Sequence, residues 1–150
     1  MHHYHHILVP IDFSETSELA AAQAAYIARC FDSRMTLLHV VEHYPEHLPH
    51  YRMSEEDLDP EQFLSNRARK DLQALAERID FGDGRLDVIL STRSAKSEIV
   101  KYVEGHEVDL IILGARGRHG LAELLGGSTA TGVVRASPCD VLTVVRRAGQ

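Results

Sequence analysis

The chain has 150 residues, 44% hydrophobic and 25% charged, with a formal net charge of −6, the composition of one ordinary soluble domain with its own core. That acidic balance speaks against general binding to DNA or RNA, which needs a basic footprint. No apolar run approaches the roughly 20 residues that span a bilayer and no secretory leader opens the chain, so with only Cys30 and Cys139 a cytoplasmic protein with reduced thiols is expected.

The start carries His2, His3, His5 and His6 around Tyr4. Residues 1–5 read as a loose polar terminus, since chain ends are usually mobile; that reading is preferred to a metal site at His3 and His5. Ile7 to Ile11 is a short apolar strand signal, followed by Asp12-Phe13-Ser14. Ser14 suits a helix N-cap, with Glu15 and Glu18 in the first turn. Leu19, Ala22, Tyr26, Ile27, Cys30 and Phe31 then fall at helical spacing, which reads as the buried face. Met35 to Val41 is the second strand, in which His39 reads as a hydrogen-bonded, half-buried imidazole.

Residues 42–59 have neither clean period and read as a long loop, either mobile surface or a lid or partner-contacting segment. Asp59-Pro60 with Gln62 announces the second helix, whose stripe is Leu64, Ala68, Leu72, Leu75 and Ile79. Leu86 to Leu90 is the third strand, and Ile99, Val100 and Val103 mark a third helix. Asp109 to Leu113 is the fourth strand, a last helix runs from about Gly127-Ser128 to before Pro138, and Val141 to Val145 is the fifth strand. Strands alternating with helices favour one α/β domain over residues 1–150, with a parallel sheet and helices on both faces.

The most informative stretch joins the fourth strand to the last helix. Gly114, Gly117, Gly127 and Ser128 form Gly-x2-Gly-x9-Gly-Ser. Glycines let backbone approach a ligand, and a helix start offers free N–H groups and the positive dipole end to an anion. In an open α/β sheet, ligands sit beyond the carboxyl ends of the strands, where the strand order reverses. If the first and fourth strands are neighbours, Pro10 to Asp12, Gly114 to Gly117 and Gly127 to Ala130 meet in one crevice, with Val40 and Val41 as a side wall. Glycines serving only turns and packing are the plain alternative. A P-loop lysine is missing, and no Gly-x-Gly-x-x-Gly follows the first strand, so both of those phosphate sites are excluded.

Ile7 to Ser14, Leu37 to Val41, Val108 to Gly114, Gly-Ala-Arg-Gly, Leu-Leu-Gly-Gly-Ser and Ser137 to Leu142 together resemble universal stress proteins over nearly the whole chain. The glycine spacing is similar to that of the family's ATP-binding branch. The resemblance implies an open five-stranded parallel sheet, Rossmann-like (adenine nucleotide alpha hydrolase-like), in the strand order 3-2-1-4-5. It implies ATP with Mg, or Mn, as ligand. Asp12 would lie near ribose and metal, and Val40 would present backbone to adenine. Gly114 and Gly117 would run along ribose and phosphates, with Gly127, Ser128 and Thr129 on the phosphate tail and Pro10 and Leu113 lining the pocket. Arg116 reads either as a phosphate ligand or as a solvated loop charge. Ala130 departs from the pattern, where a hydroxyl residue is common and Thr131 could substitute, and so does Ser94-Ala95-Lys96 at the third helix.

The resemblance implies slow or absent turnover, so a regulatory ATP-binding stress-response protein is expected, without catalytic residues. The alternatives are an interaction module that ignores nucleotide and a slow ATPase or phosphotransferase. Val141 to Val145 is an apolar edge of the kind that is usually paired, and the resemblance implies a homodimer through it. Protein partners are unnamed by the sequence; nucleic acid and membrane are not expected ones.

Overall fold

The structure, a computed structural model, describes residues 3–46, 59–115 and 127–147. Five parallel strands, β1 (His6–Pro10), β2 (Arg34–Val41), β3 (Arg85–Leu90), β4 (Leu110–Ala115) and β5 (Asp140–Val145), form one sheet in the order β3-β2-β1-β4-β5. Between them run α1 (Glu15–Phe31), α2 (Pro60–Arg78), α3 (Ala95–Gly105) and α4 (Gly127–Ala136). This is the expected Rossmann-like order. Ile7 lies opposite Met35 on one side and Leu110 on the other, so β1 is central.

Both faces of the sheet are covered, which is why its strands are near-continuous apolar runs. Successive residues point to opposite faces. Ile7, Val9, Leu37 and Ile112 pack with α1 and α2, while Leu8, Leu38, Ile111 and Leu113 pack with α3 and α4. Ser14 caps α1 and Asp59, followed by Pro60, caps α2, as their spacing foretells. At the third helix, Ser94 accepts from the Ser97 N–H and Glu42 Oε2 accepts from the Ala95 N–H at 2.8 Å. Two side chains there satisfy backbone N–H groups in the first turn of α3.

The buried face of α1 differs from the expected one. Ala20, Ala21, Ala24, Ala25 and Ala28 are buried, whereas Leu19 is 37% and Tyr26 59% exposed and Cys30 is exposed. The reason is close approach. A Cβ on Gly114 would lie 2.4 Å from the Thr16 carbonyl carbon, so α1 sits almost on the backbone of β4. Small residues fit that gap and large ones are turned outward. Cys30 is therefore no packing residue; Cys139 is half-buried, its thiol pushed up chiefly by that burial.

Within the stretch expected to be loose, the His5 N–H donates to Asp109 Oδ2 and the Tyr4 hydroxyl to Asp140 Oδ2. At the start of the expected 42–59 loop, the Tyr44 N–H donates to the Ser91 carbonyl. His47, His50 and the acidic run at Glu55 lie outside the described residues.

A polar network sits at the amino end of the strands. Buried His6 donates from Nδ1 to the His106 carbonyl at 2.9 Å, leaving Nε2 to accept from Thr36 Oγ1 at 2.9 Å. Burial, as the largest influence, holds this imidazole below its ordinary value. Nearby, burial and the Asp87 carboxylate push the Tyr102 phenol up to about 12. Burial favours the neutral form of Asp87, but the Tyr102 hydroxyl and the Arg85 guanidinium outweigh it and lower that carboxyl.

A pH dependence follows from His6. Its folded value is depressed, so near pH 6.5 the unfolded chain binds more protons, and stability is lost as the pH falls through and below that point. The melting temperature should therefore drop more steeply for the natural chain than for His6→Gln between about pH 7.5 and about pH 5.5. Parallel curves for the two proteins would contradict it.

Candidate functional site

The strand order reverses between β1 and β4, and a crevice opens at their carboxyl ends. It encloses about 290 Å³ and is lined by Pro10, Ile11, Asp12, Ser17, Leu38, Val40, Glu42, Ala95, Ile99, Leu113, Gly114, Thr129 and Ala130. Of the ten residues singled out from the sequence, Pro10, Asp12, Val40, Leu113, Gly114 and Thr129 are brought together here. Gly127 and Ser128 open α4 at the same side. Arg116 and Gly117, like His119, lie outside the described residues.

Each wall has a local cause. β1 ends at Pro10, and the next peptide is pinned to β2: the Ile11 N–H donates to the Leu38 carbonyl at 2.8 Å. The Ile11 carbonyl in turn accepts from His39 Nδ1 at 2.6 Å, which places the proton of His39 on that nitrogen. His39 is thus the half-buried, hydrogen-bonded imidazole that its strand position suggests. Asp12 follows this clamp. Its Oδ1 accepts from the Ser14 N–H at 3.0 Å and from the Ser14 hydroxyl, while Ser14 Oγ caps the Ser17 N–H. The carboxylate at the mouth is therefore tied to the start of α1.

Phe13 is the strained element of this turn. Its φ of 61° is a left-handed conformation that bulky residues rarely adopt. Its ring packs 4.8 Å from the His39 ring, which holds the turn in place.

Gly114 belongs to β4 rather than to a loop beyond it. Its missing side chain is required by α1, because the atoms a Cβ would meet are Thr16 and Ser17 backbone at 2.4–2.6 Å. The glycine lines the crevice, but the crowding that demands it comes from the helix. Ala130 is buried and lines the crevice, while Thr131 is not in the described lining.

Sequence reasoning did not single out Ser17, Glu42, Ala95 or Ile99 as part of this site. Glu42 stands just past β2, on the side where ligands gather, so its position in the chain was a usable signal. Ala95 and Ile99 depend on how α3 leans over β2, which no spacing encodes. A separate cleft of about 330 Å³ lies across the sheet, lined by Asp12, Phe13, His39, Val41, Leu64, Arg67, Ala68 and Asp71. It is away from the switch between β1 and β4, and Asp12 is the residue that lines both.

Among the described residues no group of three or more His, Cys, Asp or Glu is placed to hold a metal on its own, and no helix is long and apolar enough to cross a membrane. An open parallel sheet wound in this order, with its crevice at the reversal, defines an α/β protein of the Rossmann-like class. Within that class, the model of the universal stress protein family matches residues 3–145. Universal stress protein A homolog 1 of Coxiella burnetii is 32% identical over 142 residues, 95% of this chain and 96% of that protein. The chain belongs to the universal stress protein family. The solved structure of the hypothetical protein MJ0577 is similar at a TM-score of 0.74 and 28% identity, over 99% of this chain and 100% of that one. A universal stress protein solved in complex with cAMP shares the fold at a TM-score of 0.69 and 20% identity, over 97% and 100% of the two chains.

Proposed function

We propose that this chain is a cytoplasmic stress-response protein, acting as one domain, that binds ATP with Mg as a regulatory ligand in the crevice between β1 and β4. One observation carries the reading: an apolar wall, a carboxylate and a helix start converge there on about 290 Å³. Leu38, Val40 and Ile99 suit a purine face, and Asp12 suits ribose hydroxyls or the cation. At the other end α4 begins, and it differs from the other described helices. α1, α2 and α3 each carry an acidic residue in the first turn, and α4 carries none. Its positive dipole end is left for an outside anion, with Gly127, Ser128 and Thr129 as the phosphate seat. Arg116 and Gly117 join them in this reading through the glycine spacing. The cAMP complex supports the idea that this fold accommodates an adenine nucleotide; the side chains argued here are this chain's own.

Calorimetric titration with ATP and Mg tests the proposal. Saturable heat is expected, together with adenine nucleotide released when the purified protein is denatured. Neither appearing would end the reading.

The output side of the proposal is a homodimer through β5. That strand pairs only with β4 among the described residues, and Leu142 and Val145 are 40% and 42% exposed on it, while Val134 on α4 is 45% exposed. A free apolar edge is a template for a second copy. Leu142→Glu should convert a dimer into a monomer in sedimentation; a natural chain that sediments as a monomer would refute the pairing.

A further inference from the structure

The geometry points to Glu42 as the residue that makes the crevice select a 6-amino purine over a 6-oxo purine. This rests on the reading of the crevice as a purine nucleotide site. Within the lining, Gly114 belongs to β4 and Thr129 to α4, Asp12 follows β1 between the two sides, and Val40, Glu42, Ala95 and Ile99 come from β2, the residue just past it and α3. With the phosphate seat at α4, the base falls to the β2 side, where Glu42 is the charged side chain of the wall.

One carboxylate oxygen of Glu42 is committed. Oε2 accepts from the Ala95 N–H at 2.8 Å, which fixes the group against the start of α3. The side chain stays 46% exposed, so the group is reachable from the mouth. Pinned in this way, the carboxylate offers the crevice acceptors only. An adenine amino group donates to such an edge. The carbonyl oxygen of guanine or hypoxanthine is also an acceptor and is repelled. Discrimination of this kind is strong because the wrong base leaves an acceptor facing an acceptor.

The same hydrogen bond makes the test sharp. In Glu42→Gln the amide oxygen must take the Ala95 N–H, since an NH2 there would face another donor. The NH2 is then turned to the crevice, so an acceptor edge becomes a donor edge. The expected binding follows for ATP and inosine triphosphate measured by calorimetry with Mg. The natural chain prefers ATP by about tenfold or more, on the usual strength of a charge-assisted hydrogen bond. Glu42→Gln loses that preference or reverses it, with a melting temperature close to the natural one because the start of α3 stays satisfied. Glu42→Ala also loses the preference, and its melting temperature falls.

Equal binding of the two nucleotides by the natural chain, or full retention of its preference in Glu42→Gln, would overturn the role of Glu42 while leaving the crevice a nucleotide site. Binding of neither nucleotide by the natural chain would overturn both.

Discussion

Gly114→Ala should destabilise the protein by about 3 kcal/mol, at the upper end of what overpacking usually costs, and lower its melting temperature by roughly 6–12 °C. The added carbon would lie 2.4 Å from the Thr16 carbonyl carbon, 2.5 Å from its oxygen and 2.6 Å from the Ser17 nitrogen. All three are backbone atoms in the first turn of α1, so no rotamer relieves the contact. The helix must lift from β4, and its alanine face loses the close packing that justifies it. Because Ser14 ties α1 to Asp12, the lift also disturbs the crevice, and ligand binding should weaken with stability. Gly105→Ala is the control: it closes α3 with nothing within 4 Å of the new carbon, and alanine there should be neutral or slightly stabilising. A Gly114→Ala protein melting within about 2 °C of the natural chain would show that α1 is not seated as described.

That glycine shows where sequence reasoning stops. The order of elements was legible because apolar runs, caps and breakers are local. Ser14, Asp59 and Pro60 stand where helices begin, for the same physical reasons read from the sequence. The glycine at 114 was equally visible, but its cause was not. A glycine at a strand end suggests ligand approach, whereas here the neighbour that needs the space is a helix almost 100 residues earlier. The face of α1 was misjudged by the same gap in knowledge. Leu19 and Tyr26 carry the larger hydrophobicity, and a periodicity argument sends them inward. Only the distance between α1 and β4 reveals that small residues are what fit where the helix comes closest to the sheet.

The site divides along the same line. Pro10, Asp12, Val40 and Gly114 sit at strand ends, and a parallel sheet of known order brings strand ends together. Glu42 and Ala95 meet across the tops of β2 and α3, and their hydrogen bond joins residues 53 positions apart, which no local spacing encodes. His39 is the remaining case. Its role as clamp on the Ile11 carbonyl follows from a rotamer rather than a spacing, so the residue could be read as half-buried without its purpose being visible.

Asp12 offers the largest functional effect, and two substitutions separate its two tasks. Its Oδ1 holds the Ser14 N–H and hydroxyl, and its charge at the mouth of the crevice is what the proposed Mg or ribose would meet. Asp12→Asn keeps an oxygen for Ser14 and removes the charge. The entry to α1 should survive, with the melting temperature changed by no more than about 2 °C, while ATP affinity in the presence of Mg falls about 10- to 100-fold, the loss expected when one charge-assisted contact goes. Asp12→Ala removes both functions, so affinity falls at least as far and the start of α1 loosens, costing about 1 kcal/mol. Chelation supplies the deciding comparison. If the carboxylate acts through the cation, the natural chain and Asp12→Asn should bind ATP equally weakly once Mg is stripped. If it acts on ribose alone, the difference between them persists without Mg. An Asp12→Asn protein that binds Mg and ATP as tightly as the natural chain would remove Asp12 from the site, and leave the carboxylate only its task of starting the helix.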